Sequence, residues 1–165
     1  MTRLILPVKR CFLPIALTTF LMTQAAAASD FVFGLGVTDF DDDGQFAAEL
    51  EFHSDPVWQV AGADVSVLGA VVATDNGDLF IGAGVSAVRP LSNGWYLEGS
   101  FAPGYYDNSA PATDLGNDLE FRTLIGLGRT LSNGARVSVA VSHISNAGIG
   151  ESNPGVNLLT LRLRY

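Results

Sequence analysis

The sequence predicts an all-β protein, an eight-stranded antiparallel transmembrane β-barrel that follows a cleaved signal peptide. Three observations lead to this fold class. Apolar and polar residues alternate with a period of two through residues 29–165, which is the period at which side chains change faces along a strand. Two links with the sequence Leu-Ser-Asn-Gly recur forty residues apart. No segment after residue 28 reads as a membrane-spanning helix, so strands are the elements that would cross a membrane.

Residues 1–28 differ from the rest of the chain. A basic start leads into a short apolar run at 11–22, and three alanines at 26–28 supply the small residues that a signal peptidase accepts. The alternative, a membrane anchor, needs roughly 18 to 20 apolar residues. We therefore predict that 1–28 is a signal peptide and 29–165 an outer-membrane β-barrel.

The strands are predicted in chain order from the alternation. The first two place phenylalanine, leucine and valine on one face and mostly small or charged residues on the other. Three weaker runs follow, and the last three strands again alternate clearly. The predicted ranges are 31–38, 46–53, about 58–73, about 79–89, about 95–105, 119–127, 135–145 and 157–165.

The links between these strands differ in length on the two sides. Asn-Gly is a strong hairpin signal, and the Asn-Gly links at 89–94 and 129–134 fall on the same rim of such a barrel. The links on the other rim are longer and more acidic, which is the layout of an outer-membrane barrel. A soluble secreted barrel with its apolar face inward, as in a lipocalin, is the competing fold. The alternating last strand with its terminal Tyr165, and the lack of cysteine after residue 28, favour the membrane barrel.

The polar face of the strands carries four acids and four bases, which are Glu49, Glu51, Glu98, Glu120, Arg122, Arg136, Arg162 and Arg164. An eight-stranded barrel is just wide enough for side chains to fill it, and buried charges must pair to offset desolvation. The sequence therefore predicts a plugged lumen rather than a pore, with His53 inside the barrel or at its rim.

Composition excludes other classes of function. The formal net charge of −8 argues against nucleic acid as a partner, and the single cysteine cannot form a disulfide within the chain. The run from Asp39 to Gly44 is similar to a cation-binding turn but lacks the ligand spacing of an EF-hand. We expect a solvated acidic loop there, and neither a metal nor another cofactor.

One segment breaks the alternation. The apolar face of the seventh strand leads through Val139 and Val141 to His143 and Ser145, which should both point toward lipid near the long final loop. A hydroxyl beside an imidazole is the minimal set for nucleophilic attack on an ester. The alternative is that both are simply polar residues at the headgroup level, since His-x-Ser is a weak motif by itself.

The residues around this pair carry a family resemblance. His143-Ile-Ser145-Asn146-Ala147-Gly148, followed by Asn-Pro-Gly at 153–155 and a final alternating strand, resembles the lipid A 3-O-deacylase family. The resemblance implies an eight-stranded barrel with a Ser-His-Glu triad on its outer surface. It also implies metal-free hydrolysis of the ester-linked 3-hydroxyacyl chain at position 3 of lipid A.

The resemblance assigns roles to individual residues. Ser145 matches the nucleophile and His143 the general base. Asn146 matches the asparagine implicated in the oxyanion hole, with the backbone N–H of Gly148 as a second donor. The expected partners are lipid A, as part of lipopolysaccharide, and the surrounding outer-membrane lipid, with a homodimer left open by the sequence.

The acid of the triad departs from the family pattern. Counting fourteen residues from His143 leads to Asn157, whose side-chain carbonyl can orient the imidazole without stabilising its positive charge. Glu151 in the final loop is the second choice for this role. Three outcomes follow: an esterase that uses Asn157 or Glu151, a catalytically weak or inactive relative, and a structural or adhesion barrel without chemistry.

Overall fold

The computed structural model describes residues 30–39 and 44–165 and contains a closed barrel of eight antiparallel strands. Each strand pairs with its neighbours in sequence, and β8 closes the barrel against β1. The strands are β1 (Asp30–Thr38), β2 (Phe46–Val60), β3 (Ala63–Thr74), β4 (Leu79–Pro90), β5 (Trp95–Asp107), β6 (Leu119–Thr130), β7 (Arg136–Ser145) and β8 (Val156–Arg164). The predicted fold class is confirmed. The predicted signal peptide and residues 40–43 of the acidic run lie outside the described residues.

The two rims of the barrel differ as predicted. The links at 61–62, 91–94 and 131–135 lie on the rim that also holds the start of β1 and the end of β8. Positive φ angles at Asn93, Gly94 and Gly134 form two of these turns, because asparagine and glycine tolerate the left-handed region. The longer links lie on the opposite rim, which is the extracellular one in outer-membrane barrels. No helix in 30–39 and 44–165 is long and apolar enough to cross a membrane.

The boundary between β2 and β3 differs from the prediction. A single strand was expected at about 58–73, whereas β2 continues to Val60 and the chain turns at Ala61 and Gly62, both with positive φ. The register of β2 against β3 shifts on both sides of Pro56. Proline removes a ladder hydrogen bond, and the shifts disrupt the alternation on which the prediction depended.

The outward face of the barrel is apolar along its middle. Side chains on this face are exposed, such as Ile125 at 62% and Leu161 at 64%, while their sequence neighbours are buried in the lumen. Soluble barrels bury their apolar face instead. An exposed apolar belt on strands is the pattern expected where lipid is the solvent.

The lumen is filled by paired charges. Arg122 and Arg162 each bridge Glu49 and Glu51, with four N–O distances of 2.6 Å. All four side chains are at most 1% exposed. Each carboxylate therefore meets two guanidinium groups, which offsets the cost of removing these charges from water. His53 extends the cluster, since its two ring nitrogens bind Glu51 and Ser86 at 2.7 Å.

Two members of the predicted charge set behave differently. Arg136 pairs with Asp30 near the periplasmic rim, where both side chains are partly exposed. Glu120 is fully buried, yet neither of its carboxylate oxygens has a hydrogen-bond partner among the described residues. Arg164 binds Glu98 at 3.1 Å, as expected for a lumen pair. The lumen is plugged as predicted, but the prediction that Glu120 pairs with a basic residue is wrong.

Buried Asp78 ties two extracellular loops together. Its Oδ1 accepts hydrogen bonds from the backbone N–H and hydroxyl of Ser109 and from the hydroxyl of Thr113, at 2.7 to 2.9 Å. Its Oδ2 accepts one from Asn76. Burial by itself raises the pKa of this carboxyl, but the hydrogen bonds outweigh burial and hold the pKa of Asp78 below its ordinary value.

Candidate active site

The polar residues of the outward face meet at the extracellular ends of β7 and β8. His143 is exposed and Ser145 half-buried, and both alternate with the buried Ser142 and Ile144. Asn157 is exposed at the start of β8 and lies directly opposite His143 in the strand register. The expectation that these side chains face outward agrees with the structure.

His143 and Asn157 are joined by a hydrogen bond. His143 Nδ1 lies 2.9 Å from Asn157 Oδ1. An amide oxygen can only accept, so this contact requires Nδ1 to carry the ring proton. The other nitrogen, Nε2, is then the basic one, which is the tautomer that a general base on this histidine needs.

Asp39 holds the backbone of Asn157 from the other side. Its carboxylate accepts a hydrogen bond from the Asn157 N–H at 3.0 Å, and its own N–H donates to the Asn157 carbonyl at 2.8 Å. The backbone bond extends the ladder between β1 and β8 by one residue, and the carboxylate takes the place of the second ladder acceptor. Asp39 thus fixes the backbone from which Asn157 reaches the imidazole.

Gly155 supports the imidazole ring. A Cβ atom at this position would lie 2.7 Å from His143 Cε1 and 3.1 Å from Nε2. The backbone also has φ +66° there, which glycine adopts most readily. Only glycine leaves room for the ring, and the Nε2 edge consequently lies toward Gly155, the residue after the Asn-Pro pair.

Ser145 stands at the outer end of this group. Its register partner on β6 is Phe121, whose ring stacks on Phe101 with centroids 5.9 Å apart. Among the hydrogen bonds of the described residues, none joins Ser145 Oγ to His143. Catalytic hydrogen bonds are often long without substrate and shorten in the reacting complex.

Asn146 and Gly148 form a tight turn instead of presenting two free donors. Ala147 and Gly148 both have positive φ, and the Gly148 N–H donates to Asn146 Oδ1 at 2.9 Å. The Asn146 amide is fully buried, and its nitrogen donates to the carbonyls of Leu115 and Ser152 at 2.8 and 2.7 Å. Both amide protons of Asn146 are therefore used to connect loops. Its role at the oxyanion stays a prediction.

Glu151 is exposed in the loop between β7 and β8. Within residues 30–39 and 44–165, no hydrogen bond joins it to His143, whose Nδ1 is bound by Asn157. The structure thus brings His143 together with Asn157. No cluster of three or more His, Cys, Asp or Glu side chains in the described part of the chain has a geometry suited to a metal ion.

Sequence reasoning missed Asp39 and Gly155. Asp39 was treated as part of a solvated acidic loop, although continuing the outward face of β1 beyond Val37 leads directly to it. Gly155 carries no signal of its own in the sequence, because its role depends on where an imidazole from another strand lies.

Comparison with known proteins identifies the family of the chain. The model of the family described as Lipid A 3-O-deacylase (PagL) matches residues 32–165. Lipid A deacylase PagL of Bordetella bronchiseptica is 33% identical over 72 residues, which cover 43% of this chain and 40% of that protein. The chain thus matches less than half the length of this relative.

Solved structures share the fold. The crystal structure of the outer membrane enzyme PagL superposes with a TM-score of 0.68 at 20% identity, covering 82% of this chain and 97% of that one. A structure from the de novo design of transmembrane β-barrels gives a TM-score of 0.56 at 10% identity, covering 87% and 98%. The family match extends over both the barrel and the His143 to Asn157 region, and the chain belongs to the PagL family of lipid A 3-O-deacylases.

Proposed function

We propose that this outer-membrane barrel hydrolyses the ester-linked 3-hydroxyacyl chain at position 3 of lipid A, with Ser145 as the nucleophile and His143 as the general base. The observation that carries the proposal is the hydrogen bond from His143 Nδ1 to Asn157 Oδ1 on the lipid-facing surface. It leaves Nε2 as the basic nitrogen, two residues along the same face from a serine hydroxyl.

The reaction would proceed in two steps. His143 Nε2 takes the proton of Ser145 Oγ as the oxygen attacks the ester carbonyl carbon, and it then returns that proton to the departing sugar oxygen. A water molecule, deprotonated by the same nitrogen, attacks the acyl-enzyme, and His143 returns that proton to Ser145 Oγ as the 3-hydroxy fatty acid leaves. Asn157 keeps the imidazole in the required tautomer throughout.

The oxyanion of the tetrahedral intermediate needs donors near Ser145. We retain Asn146 and Gly148 for this role, in a form that the turn geometry suggests. The Gly148 N–H, now bonded to Asn146 Oδ1, would transfer its hydrogen bond to the stronger oxyanion acceptor. The buried amide of Asn146 would act by holding the turn in place.

The candidate site lies where a substrate in the outer leaflet, and not one in the lumen, can reach it. The lumen is closed by ion pairs, whereas the outward ends of β7 and β8 meet the outer leaflet, where lipid A resides in a Gram-negative outer membrane. Lipid A, and not a soluble ester, is therefore the substrate class that we propose.

Mass spectrometry of lipid A tests the proposal. Gram-negative cells that express the chain should lose one 3-hydroxyacyl mass from lipid A, and cells that express Ser145→Ala should not. Heat-modifiable migration of both proteins controls for folding. Unchanged lipid A with a folded parent barrel would favour the second candidate, a non-catalytic structural barrel. Two observations support that candidate: no hydrogen bond among the described residues joins Ser145 to His143, and His143 binds an amide where the resemblance implies a carboxylate.

A further inference from the structure

A fourth polar side chain lies on the lipid-facing surface next to the candidate triad. Between Leu119 and Leu127, the outward positions of β6 are leucine, phenylalanine, threonine, isoleucine and leucine. The threonine is Thr123, which is exposed and pairs directly with His143 in the register of β6 and β7. Thr123 thus places a hydroxyl on a strand face that is otherwise apolar from Leu119 to Leu127.

The Thr123 hydroxyl is not used by the fold. Within the described residues, its Oγ1 makes no hydrogen bond, although an unpaired hydroxyl in an apolar environment carries a free-energy cost. His143, its partner in the strand register, binds Asn157 through Nδ1, and no hydrogen bond among the described residues joins its Nε2 to Thr123. The exposed hydroxyl lies on the outward face of β6, where a lipid substrate would bind.

The depth of Thr123 relative to Ser145 indicates which part of the substrate it meets. β6 runs from the extracellular rim toward the periplasm, so Thr123 lies one pleat repeat deeper than Phe121, the register partner of Ser145. An acyl chain whose ester carbonyl lies at Ser145 extends into the bilayer in the same direction. The sugar lies on the opposite, extracellular side of the ester.

The distance also suits a group close to the ester. Thr123 and Ser145 are diagonal neighbours on adjacent strands, a relation in which residues are roughly 7 to 8 Å apart and their Cβ atoms somewhat closer. The hydroxyl of a 3-hydroxyacyl chain is on the carbon two bonds from the carbonyl carbon. That reach plus a hydrogen bond of about 2.8 Å spans most of the gap.

We infer that Thr123 Oγ1 is a specificity-determining contact that hydrogen-bonds the 3-hydroxyl group of the acyl chain whose ester Ser145 attacks. The inference rests on the proposed function and deepens it, because it names the feature by which the site distinguishes hydroxylated from plain acyl chains. Phe121 and Phe101, stacked beside this position, would pack against the hydrocarbon on the same side.

The test compares two substrates in detergent micelles. One is lipid A with a 3-hydroxyacyl ester at position 3, and the other is its synthetic analogue with the same chain length but no 3-hydroxyl. Thr123→Val, which keeps the shape and removes the hydroxyl, should lower the ratio of kcat/KM for the hydroxylated over the plain ester by about 3-fold to 10-fold, as expected for one neutral hydrogen bond. Thr123→Ser should restore the ratio.

Thr130→Val is the matched control, since it makes the same change at the far end of the same strand. It should leave the ratio unchanged. An unchanged ratio in Thr123→Val, or an equal change in Thr130→Val, would overturn the inference. Heat-modifiable migration identifies any variant that fails to fold, and Thr123→Ala, which also lacks the hydroxyl, then takes the place of Thr123→Val with the same expected fall in the ratio.

A binding measurement separates this inference from the proposed catalysis. In the Ser145→Ala background, Thr123→Val should weaken binding of the hydroxylated ester relative to the plain ester by a similar factor. If the folded parent turns over neither ester, the proposed deacylase fails, while the binding ratio still tests the hydroxyl contact. Equal binding of the two esters with and without Thr123→Val would refute the contact itself.

Discussion

Replacing Asn157 by aspartate examines the position at which the proposed triad departs from the Ser-His-Glu pattern that the family resemblance implies. The two side chains have nearly the same shape, so the 2.9 Å contact with His143 Nδ1 can persist. A hydrogen bond between neutral groups contributes about 1 kcal/mol, and one to a charged group about 1.5 to 3 kcal/mol. The additional stabilisation, about 0.5 to 2 kcal/mol, applies only when the imidazole is protonated, which is expected as Ser145 attacks. We therefore expect Asn157→Asp to raise kcat/KM by about 2-fold to 30-fold.

This expected gain is far smaller than the effect of the reverse change in serine proteases. There, exchanging the triad aspartate for asparagine lowers kcat by about 10⁴, because the imidazole adopts the wrong tautomer. In this barrel the amide oxygen already faces Nδ1, so only the charge is missing. The nearby carboxylate of Asp39, bonded to the Asn157 N–H, should oppose a second negative charge. Adding Asp39→Asn to Asn157→Asp should therefore increase the gain.

The assay is the release of 3-hydroxy fatty acid from lipid A in detergent micelles, quantified by mass spectrometry. Asn157→Leu provides the opposite control: it keeps the volume but removes the acceptor, and we expect kcat/KM to fall at least about 10-fold. Full activity in Asn157→Leu would show that the hydrogen bond to His143 has no role in the reaction. A folded Asn157→Asp protein with unchanged or lower activity would refute the reasoning on charge.

Three further predictions concern the support of the site and the barrel. Gly155→Ala should displace the His143 ring, because its Cβ would lie 2.7 Å from Cε1, and should lower kcat/KM at least about 10-fold without loss of heat-modifiable migration. Arg162→Met should destabilise the barrel by about 3 to 5 kcal/mol in urea titrations, whereas Arg89→Met at the periplasmic rim should cost less than about 1 kcal/mol. Asp78→Asn should loosen the loop at 108–118 toward proteases at neutral pH. Since the folded pKa of Asp78 lies below its ordinary value of 3.8, the stabilisation is complete above that value. It is lost as the pH falls through the lower folded pKa, so protease sensitivity should rise there in the parent and less in the variant.

The alternation of apolar and polar residues predicted most of the strands, because the two faces of each strand meet different environments. Along β7, the buried Ser142 and Ile144 alternate with the exposed Val141 and His143, and a shift by one residue would place valines against the lumen charges. The same alternation correctly predicted that the side chains of His143 and Asn157 point outward. Where the face is interrupted, as at Pro56 in β2, the prediction of the strand boundary was wrong.

Contacts between distant segments were not predictable from the sequence. Nothing in the sequence near Asn146 shows that its amide protons go to the carbonyls of Leu115 and Ser152, since the acceptors belong to loops that only the closed barrel brings together. Glu120 was expected to pair by its parity alone. Pairing depends on which guanidinium reaches that height of the lumen, and those of Arg122 and Arg162 are engaged by other glutamates.

The division of the polar residues between two faces explains how a small barrel can both span the membrane and carry the proposed site. Inside, charged pairs across the lumen connect β2 with β6 and β8, and so they hold the strands that also carry the site. Outside, Thr123, His143 and Asn157 lie in one row across β6, β7 and β8 because the strand register puts them there. The positions of the base and of its acceptor thus depend on the rigid sheet. The turn at 146–148, which we assign to the oxyanion, depends instead on contacts between loops. Changes in the extracellular loops should therefore alter the stabilisation of the intermediate before they alter the pairing of His143 with Asn157.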